Sequence, residues 1–188
     1  MYKKSLITDS MMRDIGQLPH TKLVCKPGVK LSTLVTSIFN ELRYCLQSDI
    51  VLIHAGTNDI NTCTVDELLE MVRLIVRRYR SEYSGHIGFS TIIPRPRDGQ
   101  SLSNKVKSYN KRLMAWCADN GCVCLRTHSP FLSGGRPRRQ LFNNGLLHLR
   151  ARGPAPSGSY ILRNFLSSEL SDKTLIPRVK LVEAMLYA

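Results

Sequence analysis

The chain of 188 residues is predicted to adopt an α/β fold with a parallel sheet. Three observations predict this class. Short apolar runs recur along the chain, amphipathic helical patterns separate them, and each run ends in turn-forming residues. Strands that alternate with helices form right-handed βαβ units, so we expect helices on both faces of the sheet.

Five apolar runs, partly β-branched, are predicted as strands. They are Ser5–Thr8, Lys22–Cys25, Asp49–His54, His86–Ile93 and Cys122–Thr127. Ligands of parallel sheets bind beyond the carboxyl ends of the strands. The candidate functional residues are therefore those that directly follow each run.

Four stretches show the spacing of an amphipathic helix. They are Leu31–Leu42, the stripe Leu68–Tyr79 behind a Thr64/Glu67 capping box, the stripe Val106–Cys117 before Gly121, and Ser159–Leu170. The Gly- and Arg-rich segment Ser133–Gly153 is predicted as a loop that crosses the top of the sheet. We treat residues 1–188 as one domain, in which the placement of the extension 171–188 is left open.

The composition limits the cellular compartment and the classes of partner that we expect. Lys and Arg number 27 against 14 Asp and Glu, a net charge of +13, which suits nucleic acid, an anionic membrane surface or an acidic partner without choosing among them. No apolar run approaches the ~20 residues of a membrane span, and Asp9 interrupts the first apolar stretch, so neither a membrane span nor a signal peptide is expected. The 6 cysteines are interpreted as free thiols in a reducing compartment, and their spacing predicts no metal site and no cofactor.

Four residues at predicted strand ends or on the long loop have a chemical and a local interpretation. Ser10 is a nucleophile if a base removes its proton, or else a turn or N-cap serine. The Gly28 N–H and the Asn58 amide are donors for an oxyanion, or else ordinary turn residues. His148 is a general base, or else a structural histidine. For Asp59, which follows Asn58, we expect a local structural role.

The order of these residues resembles the four motif blocks of the SGNH hydrolase superfamily, the GDSL-type esterases. The blocks are Leu6–Ser10, Pro27-Gly28 with Leu31, Gly56–Asp59, and His148-Leu149 with Gly153. The resemblance implies a flavodoxin-like three-layer α/β/α sandwich with a five-stranded parallel sheet. It also implies a serine esterase in which His148 activates Ser10, while the Ser10 N–H, the Gly28 N–H and the Asn58 amide hold the oxyanion.

The chain departs from the family pattern at two positions. Thr8 stands where the first block usually has Gly. Gly145 stands where the family usually has an Asp, three residues before the catalytic His. The His148 ring must then be oriented by a backbone carbonyl, by water or by an Asn side chain, for which Asn144 is the candidate. Because a carboxylate normally stabilises the imidazolium, we expect a slower enzyme.

Two motifs resemble the esterase domain of the first open-reading-frame protein of vertebrate LINE-type retrotransposons. They are Ile7–Ile15 and Ile53–Ile60. This resemblance implies an isolated esterase domain that acts on short acyl or acetyl esters, including lipid esters. It also implies a cytoplasmic location, and it leaves both ribonucleoprotein association and membrane association open. The alternative is a catalytically weak or inactive module that binds RNA or an anionic membrane. The candidate basic rim for such binding is Arg95, Arg97, Arg136, Arg138, Arg139, Arg150 and Arg152.

Overall fold

The computed structural model describes residues 4–42, 48–151 and 157–171. Its main sheet has five parallel strands in the order β2-β1-β3-β4-β5. The strands are β1 (Lys4–Thr8), β2 (Thr21–Cys25), β3 (Ile50–His54), β4 (His86–Ser90) and β5 (Val123–Leu125). The predicted five-stranded parallel sheet is confirmed.

Four α-helices accompany this sheet in the described residues: α1 (Leu31–Leu42), α2 (Val65–Glu82), α3 (Gln100–Asp119) and α4 (Gly158–Ser171). Neighbouring residues of a strand pack into two different hydrophobic cores. Ile7 and Ile53 pack with residues of α1, α2 and α3, whereas Leu6 and Leu52 pack with residues of α4. Because alternate side chains of a strand point to opposite faces, the helices cover both faces, and the three-layer α/β/α sandwich is confirmed.

Local capping sets where α1 and α2 begin. The Thr64 hydroxyl accepts a hydrogen bond from the Glu67 N–H, and the Glu67 carboxylate accepts one from the Thr64 N–H, so the predicted capping box is confirmed. At α1, the Asp59 carboxylate accepts a hydrogen bond from the Leu31 N–H at 2.9 Å. This contact ties the first turn of α1 to the loop after β3.

Strands β4 and β5 end earlier than the apolar runs predict. The Asn110 side chain of α3 accepts a hydrogen bond from the Ile92 N–H and donates one to the Ile92 carbonyl, each at 2.8 Å. The Ile92 backbone therefore pairs with a helix side chain instead of a neighbouring strand. Ile92 and Ile93 are nevertheless buried, which explains why the sequence continues to be apolar after the strand has ended.

The segment predicted as a long loop contains some regular structure. A short antiparallel hairpin joins β6 (Leu132–Ser133) and β7 (Arg136–Pro137). The predicted last helix, Ser159–Leu170, is one residue longer at each end. Residues 172–188 of the C-terminal extension lie outside the described residues. Within those residues, no helix is both long and apolar enough to cross a membrane.

Candidate active site

Ser10 lies two residues beyond the end of β1 and begins a short 3₁₀ turn, Ser10–Met12. The cap of this turn is Asp9, whose carboxylate accepts a hydrogen bond from the Met11 N–H at 2.8 Å. Because Asp9 does the capping, the Ser10 hydroxyl is not needed for it. The local interpretation of Ser10 as an N-cap residue is therefore wrong.

The Ser10 hydroxyl faces an imidazole from the far end of the chain. Its Oγ lies 3.2 Å from Nε2 of His148, within the reach that a general base requires. The backbone of His148 is held in place, since its carbonyl accepts a hydrogen bond from the Asn143 N–H at 2.9 Å. The next residue, Leu149, is buried in the core beneath the loop. This arrangement fits proton transfer from Ser10 to His148.

The described residues provide no hydrogen-bond partner for Nδ1 of His148. The Asn143 side chain accepts weak hydrogen bonds from the N–H groups of Leu147 and His148, so it organises the turn and not the ring. Asn144 is exposed and makes no hydrogen bond to the described residues. The structure therefore gives Asn144 no orienting contact, in contrast to the expectation, because its side chain points to the solvent side of the turn.

Two loops at the same sheet edge carry the candidate oxyanion donors. Gly28 is exposed with φ +77°, a conformation that favours glycine, and its N–H has no acceptor among the described residues. The Asn58 amide donates one hydrogen bond to the Val29 carbonyl at 3.0 Å. This contact joins the loop after β3 to the loop that carries Gly28. The amide has a second N–H, which remains for a ligand.

The Ser10 N–H also lacks an acceptor among the described residues. Asp9 donates its own N–H to the His54 carbonyl at 3.3 Å, which positions the start of the turn beside the end of β3. Unpaired backbone donors at a strand end are suited to a developing oxyanion, since they need no reorganisation. Asp59 instead accepts hydrogen bonds from the Ser32 hydroxyl and the Leu31 N–H, which confirms its local role.

A buried ionisable cluster under the candidate nucleophile was missed at the sequence level. The His54 and Asp9 side chains are each 1% exposed, and His54 Nε2 lies 3.9 Å from Asp9 Oδ1. Nδ1 of His54 is 2.5 Å from the Ser90 hydroxyl. Burial lowers the pKa of His54, and the negative charge of Asp9 opposes that shift. The sequence signal was a histidine at the end of an otherwise apolar strand. Only the sheet, in which His54 pairs with Thr8, places it beside Asp9.

Cys25 is the thiol beside this turn. Its Sγ donates a hydrogen bond to the Asp9 carbonyl at 3.4 Å. Burial raises the pKa of the Cys25 thiol, against a smaller opposing effect of the Arg13 charge. A raised pKa disfavours the thiolate, which is the nucleophilic form of a cysteine. The described residues contain no group of three His, Cys, Asp or Glu side chains that could hold a metal ion.

The candidate basic rim is smaller than expected. Arg95 is buried and pairs with Asp98 at 2.9 Å, so its charge is neutralised inside the loop after β4. Arg138 is half-buried and donates a hydrogen bond to the Pro130 carbonyl. Three of the other positions are exposed, namely Arg97, Arg136 and Arg139. Arg150 is half-buried and has an interaction partner, and Arg152 lies outside the described residues.

Solved structures with this architecture include several esterases. A member of the lipolytic G-D-S-L family from Veillonella parvula aligns with a TM-score of 0.71 and 13% identity over 91% of this chain and 98% of that chain. The acetylxylan esterase Axe2 from Geobacillus stearothermophilus aligns with a TM-score of 0.66 and 13% identity over 90% and 94%. The esterase domain of the ZfL2-1 ORF1 protein from a zebrafish retrotransposon is 24% identical over 89% and 98%, with a TM-score of 0.46. The first two likenesses concern the fold alone, and the third carries no argument because its TM-score is below 0.5.

Sequence comparison identifies the family. No curated protein matches the chain. The model of the GDSL-like lipase/acylhydrolase family matches residues 36–155, more than half of the chain. This range contains Asn58 and His148, and it begins after Ser10 and Gly28. The chain therefore belongs to the GDSL-like lipase/acylhydrolase family and is a carboxylic ester hydrolase.

Proposed function

We propose that Ser10 is the nucleophile of this esterase and that His148 is its general base. The observation that carries the proposal is the 3.2 Å contact between Ser10 Oγ and His148 Nε2. Residues that are 138 positions apart meet here at a strand end, where the Asp9 cap leaves the hydroxyl unused. Nucleophilic catalysis by serine requires a base at this distance.

The reaction has two halves. His148 accepts the Ser10 proton while Oγ attacks the ester carbonyl, and the protonated imidazole then donates that proton to the leaving alcohol. His148 then takes a proton from water as the water oxygen attacks the acyl-Ser10 carbonyl, and the imidazolium returns that proton to Ser10 Oγ as the carboxylic acid leaves. In both halves the N–H groups of Ser10 and Gly28 and the amide of Asn58 stabilise the oxyanion. Each such donor contributes roughly 10²–10³ in turnover.

The described residues provide no carboxylate partner for His148, which lowers the turnover rate that we expect. An imidazolium without a buried carboxylate is less well stabilised, so a Ser–His dyad is slower than a full triad. A weak or inactive enzyme that binds RNA or an anionic membrane is the alternative function. Exposed Arg97, Arg136 and Arg139 supply charge for it. Ser10 and His148 would have no reason to lie in contact in a protein that only binds.

For the substrate, the proposal is a carboxylic ester with a short acyl group, such as acetyl, including esters of lipids. The retrotransposon context rests on the motifs Ile7–Ile15 and Ile53–Ile60. In that context the domain acts in the cytoplasm as part of the first open-reading-frame protein of a LINE-type element. Hydrolysis of acetylated and longer acyl esters in parallel distinguishes the acyl groups.

The test is turnover of p-nitrophenyl acetate by the purified chain, compared with Ser10→Ala and His148→Ala. Both variants are expected to lose activity by at least about 10³-fold, while circular dichroism shows an unchanged fold. Ser108→Ala, an exposed serine on α3, is the matched control and keeps full activity. Equal activity of the wild type and the Ser10→Ala variant would overturn the proposal.

A further inference from the structure

A cavity opens at the carboxyl edge of the sheet, and neither Ser10 nor His148 lines it. It has a volume of about 340 Å³ and lies between α3 and the β6–β7 hairpin. None of the candidate catalytic residues lines it. Ligand pockets usually measure ~300–1,000 Å³, so this cavity has room for one small ligand. The ester hydrolysis proposed at Ser10 does not use this cavity.

The walls of this cavity are mainly apolar. Val106 and Met114 line it from α3, while Leu132 and Pro137 line it from the hairpin. Val106 is buried, and the other three are half-buried. An apolar group that displaces water from such walls binds favourably.

Three cations line the same cavity. They are Lys107 and Lys111 on α3 and Arg136 on β7. No Asp or Glu lines the cavity, and none of the three cations is paired with a carboxylate among the described residues. Lys107 and Lys111 are four residues apart on one helix face, a spacing at which like charges repel. An anion between them and Arg136 would relieve that repulsion.

Apolar walls and unpaired cations in one cavity match a ligand with an apolar chain and an anionic head. We propose that this cavity binds a single-chain fatty carboxylate, with its head at Lys107, Lys111 and Arg136 and its chain against Met114 and Leu132. The Arg136 guanidinium suits a carboxylate because its N–H groups form paired hydrogen bonds with both oxygens. A volume of about 340 Å³ fits one medium-length chain and not the two chains of a glycerophospholipid.

RNA fits this cavity less well. Its phosphates would meet the cations, but single-stranded nucleic acids are usually held by bases stacked on aromatic side chains. None of the described residues that line the cavity is a Phe, Tyr or Trp. Its apolar walls would remain uncovered beneath a phosphate backbone. The fatty carboxylate covers the walls and neutralises the cations together.

Calorimetric titration of the full chain with decanoate, below its micellar concentration, tests the proposal. Decyltrimethylammonium carries a similar chain with a cationic head, and a short single-stranded oligoribonucleotide carries phosphates without a chain. The key variant is Lys107→Gln/Lys111→Gln. Its charge-matched control is Arg77→Gln/Arg163→Gln, two exposed residues on α2 and α4 that do not line the cavity. Met114→Gln makes the apolar wall polar.

We expect saturable binding of decanoate that weakens at high salt, since screening reduces the attraction of the cations. The double lysine variant should bind at least about tenfold more weakly, the Met114→Gln variant also more weakly, and the arginine control as the wild type does. Equal binding of decanoate and decyltrimethylammonium, or an unchanged affinity in the double lysine variant, would overturn the proposal. If the oligoribonucleotide binds and decanoate does not, and the double lysine variant weakens that binding, the cavity would be assigned to nucleic acid instead.

Discussion

The buried histidine beneath Ser10 is expected to make the stability of this protein depend on pH. His54 is 1% exposed, and burial lowers its pKa in the folded state below the ordinary value of 6.5. Below about pH 6.5 the unfolded chain therefore binds a proton at His54 that the folded chain does not bind. Stability contributed by the neutral imidazole is present above that pH and is lost as the pH falls.

The magnitude follows from proton linkage. Each pH unit below the unfolded pKa costs up to about 1.4 kcal/mol for one proton. We therefore expect His54 to reduce the free energy of unfolding by up to about 1.4 kcal/mol between neutral pH and about pH 5.5. Burial also lowers the pKa of half-buried His128, which adds a loss of the same sign. That second contribution is common to wild type and His54 variants and cancels in their difference.

The assay is urea unfolding followed by circular dichroism at about pH 7.5 and about pH 5.5. The variant His54→Asn removes the titration, and it also removes the contact with the Ser90 hydroxyl. It is therefore expected to be less stable than wild type near neutrality but to lose less stability on acidification. His20→Asn, an exposed histidine with positive φ that Asn tolerates, is the matched control. The reasoning is refuted if wild type and His54→Asn lose equal free energy between the two pH values.

Three further predictions concern the oxyanion loop and the scaffold. Asn58→Ala should reduce turnover of p-nitrophenyl acetate by roughly 10²–10³ with little effect on circular dichroism, and a retained rate would remove Asn58 from the oxyanion site. Gly158→Ala should destabilise the fold by at least ~1–3 kcal/mol in urea unfolding, because the added Cβ would lie 2.0 Å from the Leu141 carbonyl oxygen. In Gly145→Ala the added Cβ would make only an ordinary contact, 3.6 Å from Asn143 Oδ1, and this variant serves as the control, so equal losses would contradict the steric argument. Thr64→Ala should cost about 0.5–2 kcal/mol through loss of the α2 cap, and an unchanged urea midpoint would show that the cap does not contribute.

The alternation of strands and helices could be predicted from the sequence because it depends on neighbours along the chain. The spacing of Leu31, Leu34 and Ile38 predicts a helix with one apolar face, and all three are buried. The Thr64 capping box likewise involves residues three positions apart. The order of Ser10, Gly28, Asn58 and His148 along the chain also indicates the family, since a motif can be recognised without knowing how far apart its residues lie in space.

Contacts between distant residues were decided only by the tertiary structure. The 3.2 Å approach of Ser10 to His148 spans 138 positions, and no local pattern predicts it. The early end of β4 depends on Asn110, 18 positions from Ile92, and the cluster of His54 with Asp9 depends on the pairing of β1 with β3. Local propensity acts over a few residues, whereas burial and the direction of a side chain depend on which elements the folded chain places against it.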